Sequence, residues 1–102
     1  MKNKISHFDV ATYLDDEEMI ALYLNEVLEQ ASQDNDYNLV IEAIADIVKA
    51  RGMSKIASDA GIGRESLYKS LSHDAKPRYE TISKLIHALG LKITVEPTHH
   101  SL

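Results

Sequence analysis

Apolar residues recur every three or four positions through most of this sequence, and that spacing confines the chain to a largely helical fold. Leu39, Val40, Ala43, Ile44, Ile47 and Val48 mark one broad face of a helix that opens after Asp36 and stops at Arg51-Gly52. Ile20, Leu24, Val27, Leu28 and Ala31 mark the buried face of an earlier helix, preceded by Asp15-Asp16-Glu17-Glu18. Those acids predict a helix start: Asp15 as the cap, a carboxylate three residues later, and negative charge near the positive helix end. This helix is expected to end near Ala31, with Ser32 to Asp36 as the loop. Ahead of it, Phe8 to Leu14 is predicted to form a short helical turn.

Between Gly52 and Pro77 the apolar stretches shorten, which predicts two short helices separated by Gly61-Ile62-Gly63. After Pro77, the spacing of Ile82, Leu85, Ile86 and Leu89 predicts a last amphipathic helix, stopped at Gly90. Leu91, Ile93 and Val95 then alternate with Lys92, Thr94 and Glu96, the period of a strand, until Pro97. One strand cannot stand alone. Unless the N-terminal segment pairs with it, the same strand of a second copy across a two-fold axis is its best partner, so a homodimer is expected.

The 102 residues fit one domain of ordinary size. Cysteine is absent, which excludes disulfides and thiolate zinc sites. No run of about 18 apolar residues is present for a membrane span, and the polar start offers no signal-peptide core; a cytoplasmic location is expected. The net charge of −5 hides an asymmetry. Residues 1–50 carry three lysines against eleven acids, whereas residues 51–102 carry eight lysines or arginines against five acids. Two surfaces with opposite partners, or simply a solvated acidic face, would account for this.

Met53 to Leu71 has what two helices need when they meet steeply over a very short turn. Ser54 can cap the first helix, and Ala57 is small where the second helix crosses over it. Gly61 suits a left-handed helix end, and Ile62 plugs the wedge. Ile56, Ala60, Leu67 and Leu71 complete a shared core. The outward positions of the second helix are then Arg64, Glu65, Ser66, Tyr68 and Lys69, side chains able to reach base edges from a major groove. Arg64 suits bidentate bonding to guanine, while Glu65 either accepts from a cytosine amino group or pairs with Lys69 four residues on. Of these, Tyr68 is the one most open to partial burial. Arg51, Ser54, Lys55, Lys76 and Arg78 are candidates to hold phosphates. The same pattern also fits an αα-corner used only for packing.

The fragments Tyr13 to Glu18, Tyr23 to Glu26, Ala50 to Ser54, Arg64 to Leu71 and Lys84 to Lys92 together resemble the addiction-module antidote family, over about Phe8 to Val95. The resemblance implies a small antitoxin with a Cro-repressor-like helix-turn-helix, a RelE/ParE-type toxin as operon partner, and autoregulation through operator DNA. The expected fold is therefore all-α: five or six helices and a short C-terminal β-strand. Residues 1–35 form an acidic helical extension, 36–96 the helix-turn-helix DNA-binding domain, and 97–102 a flexible tail. A toxin that acts on RNA needs a cationic surface, so Glu17, Glu18, Glu26 and Glu29 are candidates to face it.

His7, His73, His87, His99 and His100 lack the four-residue helical spacing of a zinc site, and no metal or cofactor is expected. His73, just beyond the recognition helix, could touch phosphate. No nucleophile with an adjacent base and no phosphate-binding glycine loop is present, so an enzyme is not expected. A stand-alone transcription regulator, and a protein-interaction module that never meets DNA, remain as alternatives.

Overall fold

The computed structural model describes residues 16–98, and within them five helices follow one another. They are α1 Glu17–Asp34, α2 Asn38–Arg51, α3 Met53–Ala60, α4 Arg64–Ser70 and α5 Tyr79–Ala88. The turn predicted over Phe8 to Leu14 lies outside the described residues, as do His7, His99 and His100.

The start of α1 is one residue later than expected. Asp16, not Asp15, is the extended capping residue, and its carboxylate accepts the Glu18 N–H at 2.8 Å. Two adjacent aspartates offer the same chemistry in the sequence, and Asp16 is the one whose extended backbone brings its carboxylate to the Glu18 N–H, while Asp15 lies outside the described residues. The helix also outlasts its apolar stripe. Gln30 donates to Asp34 at 2.7 Å and Gln33 to Glu29 at 3.4 Å, so polar pairs four residues apart carry the last turn past Ala31. Asn35 then turns left-handed at φ 56°. Asp36 does not cap α2: Tyr37 occupies that position with helical backbone and no side-chain bond, and the Asp36 carbonyl accepts the Leu39 N–H at 3.3 Å instead.

All five helices contribute to one core. Ile20 and Leu24 come from α1, and Ala43, Ile44, Ile47 and Val48 from α2. Ile56 and Ala57 of α3, Leu67 of α4, and Leu85, Ile86 and Leu89 from α5 and its end complete it. The hub is α3, which packs against α2, α4 and α5, whereas α1 lies mainly on α2. Leu28 is 49% exposed, against expectation, because α1 buries the narrower line Ile20, Leu24, Ala31.

The C-terminal strand does not form within the chain. Gly90, at φ +85°, ends α5 in a double closure: its N–H bonds the His87 carbonyl at 2.9 Å, and the Leu91 N–H bonds the Ile86 carbonyl at 3.0 Å. This turn seats Leu91 against the core and sends the chain outward. Residues 92–98 are exposed, and no strand exists among the described residues. Alternation shows that a segment can be a strand; it does not supply a partner. Ile93 is 44% exposed and Val95 93%.

Candidate nucleic-acid interface

The short helices α3 and α4 are joined by three residues, and the joint is fixed by backbone hydrogen bonds. Gly61, at φ +69°, donates its N–H to the Ser58 carbonyl at 3.1 Å, while the Ile62 N–H reaches the Ala57 carbonyl at 2.9 Å. Two of the carbonyls left over at the end of α3, those of Ala57 and Ser58, are thereby satisfied. Ile62 is half-buried against the core, and Ala57 beneath the joint is buried, as the sequence predicts. Ser54 does not cap α3. The helix already begins at Met53, Gly52 holds the capping position without a side-chain bond, and Ser54 is exposed in the first turn.

Only Leu67 of α4 is buried, and it is completely so. That single anchor fixes which face of α4 turns inward. Arg64, Glu65, Ser66, Tyr68 and Lys69 consequently all reach solvent, with Tyr68 at 47% exposure. Within this group the structure makes one side-chain contact that sequence reasoning missed. Arg64 donates from Nη2 to the Tyr68 hydroxyl at 3.3 Å, and its guanidinium carbon lies 5.6 Å from the centre of the Tyr68 ring. The signal was available, since the two are four residues apart on a helix. No Glu65–Lys69 ion pair forms among the described residues.

The proposed phosphate contacts are more scattered. Lys55 stands exposed in the first turn of α3 but is paired with Asp59 at 3.0 Å. Lys76 and Arg78 are exposed in the segment leading into α5, while Arg51 is half-buried at the end of α2. His73 sits beside Asp74 at 3.4 Å, and Asp74 itself has a left-handed backbone at φ +64°. A shallow groove of about 170 Å³ separates Leu71 to Asp74 from Glu42, Asp46 and Lys49 of α2. Burial raises the pKa of the half-buried Tyr23 of α1 above its ordinary value, and the charges of Asp46 and Glu42, which also line the groove, add to the shift.

The acidic candidates lie on α1. Glu18, Glu26 and Glu29 share an outward stripe with Leu22, which is 60% exposed. Glu17 differs from them: its Cγ is so placed that a β-carbon on Gly90 would come within 3.0 Å, so it leans on the end of α5. Among the described residues no three His, Cys, Asp or Glu side chains come together as a metal site, and no helix is long and apolar enough to cross a membrane.

The chain is similar to a known family and to a known protein. Residues 4–97 match a family model described as "probable addiction module antidote protein". An uncharacterized protein of Haemophilus influenzae is 46% identical over 96 residues, covering 94% of this chain and 95% of its own length. No solved structure matches.

Proposed function

Since the chain belongs to the probable addiction module antidote family, we propose that it is an antitoxin that binds its operator through α3 and α4, represses its own operon and neutralises a RelE/ParE-type toxin by direct contact. Family membership supports the antitoxin role, and with it a toxin partner and a regulatory, non-enzymatic protein. The DNA-binding half is carried by one observation: α4 buries Leu67 alone and turns Arg64, Glu65, Ser66, Tyr68 and Lys69 outward together. An α-helix held at a short turn with such a face fits the major groove. Arg64 and Lys69 supply the positive charge there, and Lys55, Lys76 and Arg78 add phosphate contacts on neighbouring segments, with Arg51 and Ser54 in support.

In this mechanism two copies pair and present two α4 helices to successive major grooves, about 34 Å apart, so the operator is an inverted repeat. The toxin is engaged by the acidic stripe Glu18, Glu26 and Glu29, with Glu17 beside it. A cationic toxin surface that would otherwise meet RNA is attracted by this charge, which accelerates association. The working compartment is the cytoplasm, where both DNA and toxin are found.

The test is a fluorescence-anisotropy titration of the full chain against its own upstream DNA and a scrambled duplex of equal length, at two salt concentrations. Tight, salt-sensitive preference for the upstream DNA supports the repressor reading. Equal weak binding to both removes it and leaves an antitoxin that works through protein contacts alone.

A further inference from the structure

The contact between Arg64 and Tyr68 sets an arginine in place before any DNA arrives. A free arginine on a helix surface samples many rotamers and must surrender them on binding. Here the guanidinium is tethered at Nη2 by a hydroxyl 3.3 Å away and lies near the face of an aromatic ring one turn later. Both partners stay accessible, since Arg64 is exposed and Tyr68 is 47% exposed. The tether leaves the recognition chemistry intact. A guanidinium carries five N–H donors in a planar fork, and the Tyr68 hydroxyl accepts one of them. Enough remain to donate two parallel bonds to O6 and N7 of a guanine.

We propose that Tyr68 is a positioning residue, not a base reader: its hydroxyl and ring hold Arg64 in the orientation that reads one guanine in each half of the operator. The inference rests on the DNA-binding reading given above. Each component has a distinct role. The ring restricts where the guanidinium plane can lie, and the hydroxyl fixes its rotation by accepting from Nη2. Glu65 supports the assignment by default, because it makes no ion pair with Lys69 and its carboxylate offers guanine O6 and N7 no donor. Lys69, a flexible point charge, serves phosphate better than a planar base edge. Arg64 is therefore the residue of α4 best suited to specify a guanine, and Tyr68 sets how sharply it does so.

The experiment selects short duplexes from a randomised pool with the wild-type chain, then measures affinity for the selected site and for every single-base-pair change in it. Arg64→Ala is expected to flatten the preference at one guanine. Tyr68→Phe, which keeps the ring, and Tyr68→Ala, which removes both ring and hydroxyl, are expected to shrink that same preference by about three- to tenfold, the alanine more. Adding Tyr68→Ala to Arg64→Ala should cost nothing further. Thermal melting of each variant separates these effects from loss of fold. Equal weakening across all base pairs, a lost preference at a different position, or additive effects in the double variant would overturn the positioning role while leaving DNA binding intact. Failure of the wild-type chain to select any sequence would overturn both.

Discussion

At the scale of single residues, the joint between α3 and α4 depends on a backbone conformation that side chains disfavour. Gly61 has φ +69°, and nothing lies within 4 Å of the position a β-carbon would take. Gly61→Ala should therefore destabilise through conformation alone, by roughly 1–2 kcal/mol, and Gly61→Asn by less, because asparagine tolerates this region. Urea denaturation of the three proteins checks the order; an alanine variant as stable as wild type would mean that the joint can relax. A second residue-scale consequence concerns Tyr23, whose proton the folded chain holds more tightly than the unfolded chain through burial and the neighbouring charges of Asp46 and Glu42. With its pKa raised in the fold, the group binds more protons folded than unfolded once pH passes its ordinary value near 10. Stability must then fall as pH rises through that region. The stability difference between wild type and Tyr23→Phe should be constant around pH 7 and shift above pH 10 in favour of the variant. A difference that stays flat across the whole range would show that the shift is absent.

The elements themselves divide into those that pattern alone specifies and those that tertiary contacts decide. The stripe from Leu39 to Val48 makes α2 legible, as do Ile82, Leu85 and Ile86 for α5, because a wide apolar face has one way to be buried. The joint at Gly61-Ile62-Gly63 was legible for the same kind of reason: a glycine that ends a helix and an apolar residue that follows leave few geometries. The exact cap of α1 was not, since Asp15 and Asp16 are chemically equivalent in the sequence and only the extended backbone at Asp16 identifies it as the cap. The strand expected over Leu91 to Val95 does not form within one chain, because alternation describes a surface and does not supply a partner. In the candidate site, the outward set on α4 followed from Leu67, but the Arg64–Tyr68 contact did not, because several side chains four residues apart compete for such pairings. The seven residues of α4 cannot hold a helix unaided. Leu67→Ala should consequently cost about 2–5 kcal/mol and abolish operator binding together with the order of α4. Arg64→Ala should change stability by no more than about 0.5 kcal/mol, being exposed. Differential scanning calorimetry beside anisotropy separates the two; equal stability losses would show that α4 is not pinned by Leu67 alone.

Across the whole molecule, charge and apolar surface are arranged so that the two proposed partners need not compete. The acidic stripe lies on α1, which packs mainly on α2, whereas the outward face of α4 belongs to a helix that packs on α3. If α4 reads DNA as proposed, a single chain lacks a second reading helix, and binding one helix to one groove would leave specificity low. In the proposed dimer, the segment beyond Gly90 would supply the means of pairing. Leu91 is seated on the core and so fixes where the segment leaves the body, while Ile93 and Val95 carry apolar side chains to solvent. An exposed segment with strand periodicity, whose backbone has no partner strand among the described residues, is a template for its own copy. If two such segments pair antiparallel across a two-fold axis, the axis of the protein becomes the axis of the operator. Ile93→Lys together with Val95→Lys should then convert a dimer into a monomer in analytical ultracentrifugation, with the helical circular-dichroism signal unchanged because neither residue belongs to the core. The same variant should bind a half-site as wild type does, yet lose the steep, cooperative preference for an inverted repeat, since the second α4 no longer arrives with the first. A variant that remains dimeric would place the pairing surface elsewhere. A variant that is monomeric but still prefers the inverted repeat would show that DNA, not this segment, brings the two copies together.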